Sequence, residues 1–109
     1  MEKIPFNDFL RMDLRVAKIL DVEDIPNKDK LYKFKISLGS EERTLVAGIK
    51  LYYSKEQLLN KSVIMIANLE PAKIAGIESN GMLLAVKSND DSYSLLIPDK
   101  PSTEGAKVE

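Results

Sequence analysis

The sequence contains neither cysteine nor histidine. Without cysteine there is no disulfide framework and no thiolate nucleophile; without histidine the commonest general base and metal ligand is missing. Both absences weigh against an enzyme, and the carboxylates and lysines that remain show no paired spacing of the kind that acid–base catalysis uses. No metal and no cofactor is expected. No apolar run approaches the roughly 18 residues of a membrane span, and the opening residues, M-E-K-I-P-F-N-D-F, lack the apolar stretch of a signal peptide. The expectation is a soluble, cytoplasmic chain without membrane contact. Internal repeats and low-complexity segments are absent as well.

What is present fits one compact domain: 109 residues, 44% of them hydrophobic, enough for a single core. The formal net charge of −1 hides an uneven distribution, because residues 28–87 carry 10 basic and 6 acidic groups while both ends are acidic. A nearly neutral chain argues against indiscriminate binding to polyanions, yet a local basic face can hold one with salt-sensitive affinity. An ordinary charged surface accounts for the same asymmetry.

Phe6, Phe9 and Leu10 fall at helical spacing behind the possible cap Asn7, which predicts a turn or short helix over residues 7–12 that plugs one end of the core. A long strand starts at Leu14, and its apolar face changes parity near Ala17-Lys18, the pattern of a bulge or bend. Pro26-Asn27-Lys28-Asp29 is a turn. The next strand alternates cleanly: Tyr32, Phe34, Ile36 and Leu38 face the core, while Lys33 and Lys35 face outward with Leu31 and Ser37. A third strand runs from Arg43 to Ala47. Ser54 with Gln57 has the form of a capping box and opens a short helix.

The fourth strand is expected over Ser62–Leu69 and the fifth over Gly81–Lys87, each buried on at least one face. Between them lies an oversized loop with Glu70-Pro71, Gly76 and Ser79-Asn80-Gly81 as turn residues. A plain hairpin needs two to five residues, so this loop is expected to present something. Met82 reads by type as a core residue, or, at a loop-to-strand junction beside Ser79 and Asn80, as partly exposed with its thioether against a base or ribose. Ser79 reads as a turn stabiliser or as a ligand contact, and Tyr52 and Tyr53 as packing at the barrel end. After a polar turn and a short strand at Tyr93–Ile97, the last dozen residues read as extended or poorly ordered.

Three strands, a short helix and two more strands fit an all-β, five-stranded OB-fold Greek-key barrel with the helix between strands three and four, although an unrelated small α+β sheet would show much the same alternation. Residues 1–12 then form an N-terminal turn, 13–87 the barrel and 88–109 a C-terminal extension. Such a barrel binds along strands two and three and the adjoining loops. That surface gathers Asn27, Lys28, Lys30, Lys33, Lys35, Arg43, Lys73, Ser79, Asn80 and Met82. Lysines at alternate strand positions can track phosphates, and amides and hydroxyls can read nucleotide edges or the 2′-OH. A solvated strand face explains Lys33 and Lys35 equally well.

D-L-R-V at 13–16, P-N-K-D-K-L at 26–31, A-G-I-K-L-Y-Y at 47–53, A-N-L-E-P-A-K-I-A-G-I-E-S-N-G-M at 67–82 and the closing G-A-K-V together resemble the tRNA-binding domain at the C-terminus of methionyl-tRNA synthetases. The module is also similar to a stand-alone structure-specific tRNA-binding protein and to the endothelial monocyte-activating polypeptide domain. The resemblance spans nearly the whole chain. It implies shape-directed tRNA binding with little sequence selectivity, and a two-fold homodimer built from the N-terminal turn and the segment after Val86. It also implies a partner in the methionyl-tRNA synthetase catalytic chain. By position it points to Asn27, Lys30, Lys33, Lys35, Ser79 and Met82; Lys28 departs from the family's small residue before Asp29. A chaperone-like branch differs at S-N-G-M, and Gly81-Met82 favours the tRNA-binding branch. The alternative function is that of a chaperone-like or signalling protein binder of the same fold.

Overall fold

A computed structural model describes residues 1–109. Strand β1 (Leu14–Ile25) is the spine, long enough to serve two neighbours. Its first part pairs antiparallel with β4 (Ser62–Ile66), from Leu14 opposite Ile66 to Lys18 opposite Ser62. Its second part pairs with β2 (Lys28–Ser37), from Lys18 opposite Ser37 to Ile25 opposite Lys28. The register slips between Ile19 and Asp21, so the bulge expected near Ala17-Lys18 sits at Leu20 instead. Ala17 and Ile19 are buried before the slip and Val22 after it, so the extra residue restores an inward side chain where plain alternation would have turned it outward.

Pro26 and a left-handed Asn27 (φ 63°) close the β1–β2 hairpin, as a type II turn requires. Strand β3 (Glu42–Ala47) pairs with β2, and β7 (Met82–Leu83) with β4, giving the order β3-β2-β1-β4-β7. Helix α2 (Lys55–Leu58) stands between β3 and β4 with the expected capping box: Gln57 N–H donates to Ser54 Oγ at 3.2 Å and Ser54 N–H to Gln57 Oε1 at 2.8 Å. Its buried Leu58 joins Phe34, Ile36, Leu45, Val63 and Met65 in the core. The mostly β chain is consistent with the OB-type barrel that the element order predicts.

Three expectations need correction, and the tail takes one of its two expected forms. Helix α1 (Phe6–Leu10) buries no residue; Phe6 is 69% and Leu10 50% exposed, so it caps nothing within this chain. The fourth strand stops at Ile66 rather than Leu69. The fifth breaks at Leu84 into β7 and an exposed β8 (Ala85–Lys87), because Leu84 N–H still reaches Ile64 O while the chain beyond leaves to pair with β9 (Tyr93–Leu95). The last residues are extended and bound: Gly105 and Val108 N–H donate to Val16 and Leu14 O at 2.8 Å, and Val16 N–H to Ala106 O at 2.9 Å. They occupy the edge of β1 that β2 leaves open.

Candidate nucleic-acid interface

The oversized loop is itself a hairpin, β5 (Ala72–Ile74) against β6 (Ile77–Ser79). Ala75 and Gly76 both adopt positive φ (51° and 78°), the combination that defines the two-residue type I′ turn matching strand twist. The hairpin leans on β3 through polar contacts. Val46 N–H donates to Ser79 Oγ at 3.0 Å, and Asn80 N–H to Thr44 O at 2.9 Å. The Arg43 guanidinium donates to Ala67 O, to Asn80 O at 3.5 Å and to Glu41 Oε1 at 2.8 Å. Arg43 therefore fastens both ends of the loop to β3.

Between β2–β3 and this hairpin lies an open groove of about 790 Å³. Lys33, Arg43, Thr44 and Asn80 line it with the carboxylates Glu41, Glu42 and Glu78 and the apolar Leu69, Pro71 and Ile77. Beside it, a notch of about 210 Å³ is walled by Asp21, Glu23, Lys33, Lys35 and Thr44. Cross-strand register explains the second set, since Lys33 stands opposite Glu23 and Lys35 opposite Asp21 and Thr44. Lys33 Nζ lies 3.9 Å from Glu23 and Lys35 Nζ 3.9 Å from Glu42.

The ten sequence candidates fall into separate places. Lys33, Arg43 and Asn80 share the groove, and Lys35 adjoins it. Asn27 and Lys28 line a different hollow, of about 400 Å³, with Lys50. Lys30 is exposed nearby, and its carbonyl accepts from Lys50 N–H at 3.3 Å. Lys73 is exposed on β5 opposite Glu78. Met82 is 51% exposed, which excludes the core placement its residue type suggests and leaves the partly exposed one. Ser79 is 4% exposed; its oxygen accepts from Val46 N–H across 33 residues, and its hydroxyl donates within the turn to Gly81 O at 3.4 Å.

Lys50 escaped the sequence reading because nothing in A-G-I-K-L-Y-Y ties it to the turn at Asn27. Its Nζ lies 2.7 Å from Asp24 and 5.7 Å from the Tyr32 ring centre, while Lys55 reaches the other Asp24 oxygen at 2.9 Å. Hydrogen bonds from Lys50 and then Lys55 hold the Asp24 carboxyl below the ordinary Asp range, and the Asp24 bond raises Lys55. A depressed carboxylate stabilises the fold fully above the ordinary Asp value, and that contribution is lost as pH falls through the lowered one. Following Asp24 by NMR should give a titration midpoint below ordinary Asp, and Lys50→Ala should move it back up.

Comparison with known proteins places this geometry. Residues 14–107 match the family model described as "Putative tRNA binding domain". The chain belongs to this tRNA-binding domain family. Over 108 residues, 99% of the domain, it is 57% identical to a methionine–tRNA ligase of Pyrococcus horikoshii. A methionine–tRNA ligase of Thermotoga maritima is 50% identical over 105 residues. The domain spans only 15% and 16% of the lengths of these two relatives. Among solved structures, a MetRS related protein from P. horikoshii superposes with a TM-score of 0.94 at 33% identity, covering 100% of both chains. The CsaA chaperone protein of Picrophilus torridus gives 0.89 at 34% identity, covering 98% of the domain and 100% of that chain. No helix of the domain is long and apolar enough to cross a membrane.

Proposed function

We propose that the domain is a non-catalytic, shape-directed tRNA-binding module that works as a homodimer and raises the tRNA affinity of a methionyl-tRNA synthetase. The observation that carries this reading is the groove between β2–β3 and the β5–β6 hairpin, where Lys33 and Asn80 converge in a chain of the tRNA-binding domain family. Lys33 and Lys35 contact phosphates, and the hairpin forms the second wall. Tethering to the catalytic chain, covalently or by association, raises the effective concentration of tRNA near the active site. The exposed apolar side chains of Ile4, Phe6 and Leu10 support the homodimer, since a second copy would remove them from water. The setting is cytoplasmic.

Anisotropy titration of folded tRNA at two salt concentrations tests the reading. Binding should weaken as salt rises, because phosphate contacts release counterions. Lys33→Ala with Lys35→Ala should weaken every tRNA alike, by about tenfold at low salt for two lost phosphate contacts. Absence of binding at low salt, or a loss confined to one isoacceptor, would overturn it. Light scattering with and without tRNA checks the dimer.

The likeness to CsaA chaperone structures favours a second reading, a protein binder using the same surface. Competition between an unfolded polypeptide and tRNA separates the two: displacement of tRNA by the polypeptide supports the chaperone, and its failure to compete supports the tRNA module.

A further inference from the structure

The lysines that would meet phosphate do not stand on a basic surface. Across the outer face of β1–β3, acid and base alternate from strand to strand: Asp21 and Glu23 on β1, Lys35 and Lys33 on β2, Glu42 on β3. Glu23 lies 3.9 Å from Lys33 and Glu42 lies 3.9 Å from Lys35, and all four side chains are substantially exposed. Such exposed pairs contribute little to stability, so folding gives no strong reason for this arrangement. Its consequence for a ligand is larger. A phosphate approaching either lysine also approaches a carboxylate, which repels it; a ribose 2′-OH approaching the same carboxylate can donate to it.

Resting on the tRNA reading above, we infer that Glu23 and Glu42 are specificity-determining residues, which hold the Lys33–Lys35 face open to RNA and closed to DNA. Duplex DNA brings a dense row of phosphates and no 2′-hydroxyl, so it meets the lysines and their carboxylate neighbours together. RNA set over the same face brings donors to the carboxylates while its phosphates lie on the lysines. Selectivity then comes partly from an element that repels the wrong ligand. It requires no base contact, in keeping with recognition by shape.

The test replaces both carboxylates by neutral acceptors of the same shape, Glu23→Gln with Glu42→Gln. Affinities for folded tRNA and for a DNA duplex of matched length are then measured at low salt. Unit charges about 4 Å apart in water interact by an amount equal to about fivefold in affinity. Allowing for screening, the double variant should bind DNA about tenfold more tightly. Affinity for tRNA should change by less than about threefold, because the amide oxygen still accepts from the 2′-OH. The RNA-to-DNA ratio should therefore fall. Equal tightening of both ligands, or no change in either, would overturn the inference. Glu2→Gln with Asp91→Asn removes two acids outside this face; if it tightens DNA equally, net charge alone is responsible and the inference fails. If Lys33→Ala with Lys35→Ala leaves tRNA binding intact, the tRNA reading itself fails, and the inference with it. Thermal melts of each variant should stay close to the unsubstituted domain, since the replaced side chains are exposed.

Discussion

Gly105→Ala should release the C-terminal segment from the barrel and cost about 2–3 kcal/mol. Gly105 has φ +82°, and a Cβ there would sit 2.1 Å from Leu38 O and 3.1 Å from Leu38 C, both backbone atoms that cannot step aside. The segment therefore has to move. Moving it breaks the bonds that join residues 105–108 to β1, including Arg15 Nη1 to Gly105 O at 3.0 Å. It also separates Glu104 from Ser37 Oγ, a 2.7 Å contact whose hydroxyl accepts from Gly39 N–H at 3.0 Å. The damage should be local. In hydrogen exchange, the Val16 and Val108 amides should lose protection, whereas Ile19, which donates to Lys61 O at 2.9 Å, should keep its own. Removal of residues 104–109 should cost about as much as the substitution, since both release the same bonds to β1. A substitution far costlier than the truncation would mean that strain passes into the barrel instead.

Gly105 also shows where the sequence stops being readable. The core stripe of β2 was legible because alternation is local: Tyr32, Phe34 and Ile36 are all buried, as is Leu38 just past the strand. The α2 cap was legible for the same reason, since Ser54 and Gln57 are three residues apart. The tail was not. Its Pro-punctuated composition describes its own backbone, whereas its order comes from β1, with Arg15 bridging to Lys107. The β5–β6 hairpin hid behind Ala75, because Asn or Asp, rather than Ala, announces a turn with two positive φ values. Helix α1 has the apolar spacing of a packed element, but Phe6 meets the Phe9 ring of its own helix and stays 69% exposed. Of the candidate residues, the outward placement of Lys33 and Lys35 followed from parity, whereas Ser79 and Met82, to which the family pattern points, do not line the groove. What no local pattern contained was the placement of Glu23 and Glu42 beside those lysines, which depends on the register of three strands.

Gly81→Ala should be costlier than any other exchange at the mouth of the groove, about 3 kcal/mol, combining backbone strain with overpacking. At φ +124° a Cβ would lie 2.4 Å from Met65 Cε, 3.0 Å from Ile66 O and 3.4 Å from Leu45 Cδ2. Met65 and Leu45 are fully buried, so the intrusion enters the core where β3, β4 and β7 meet. The thermal midpoint should fall by on the order of 10–20 °C, the shift expected for a domain of this size. Gly76→Ala provides the contrast. It shares a positive φ, +78°, but has nothing within 4 Å of its Cβ, so only the strain of about 1 kcal/mol remains. Met65→Leu, which removes the Cε contact but keeps the Ile66 clash and the φ strain, should recover part of the loss at Gly81 and not all of it. Gly81 also joins Asn80 to Met82, beside the Arg43 and Ser79 bonds that fix the hairpin to β3. At temperatures where Gly81→Ala remains folded, its affinity for tRNA should therefore fall below that of Gly76→Ala at equal salt. Equal affinities would mean that the hairpin wall tolerates displacement, and that the β2 face alone carries the contact.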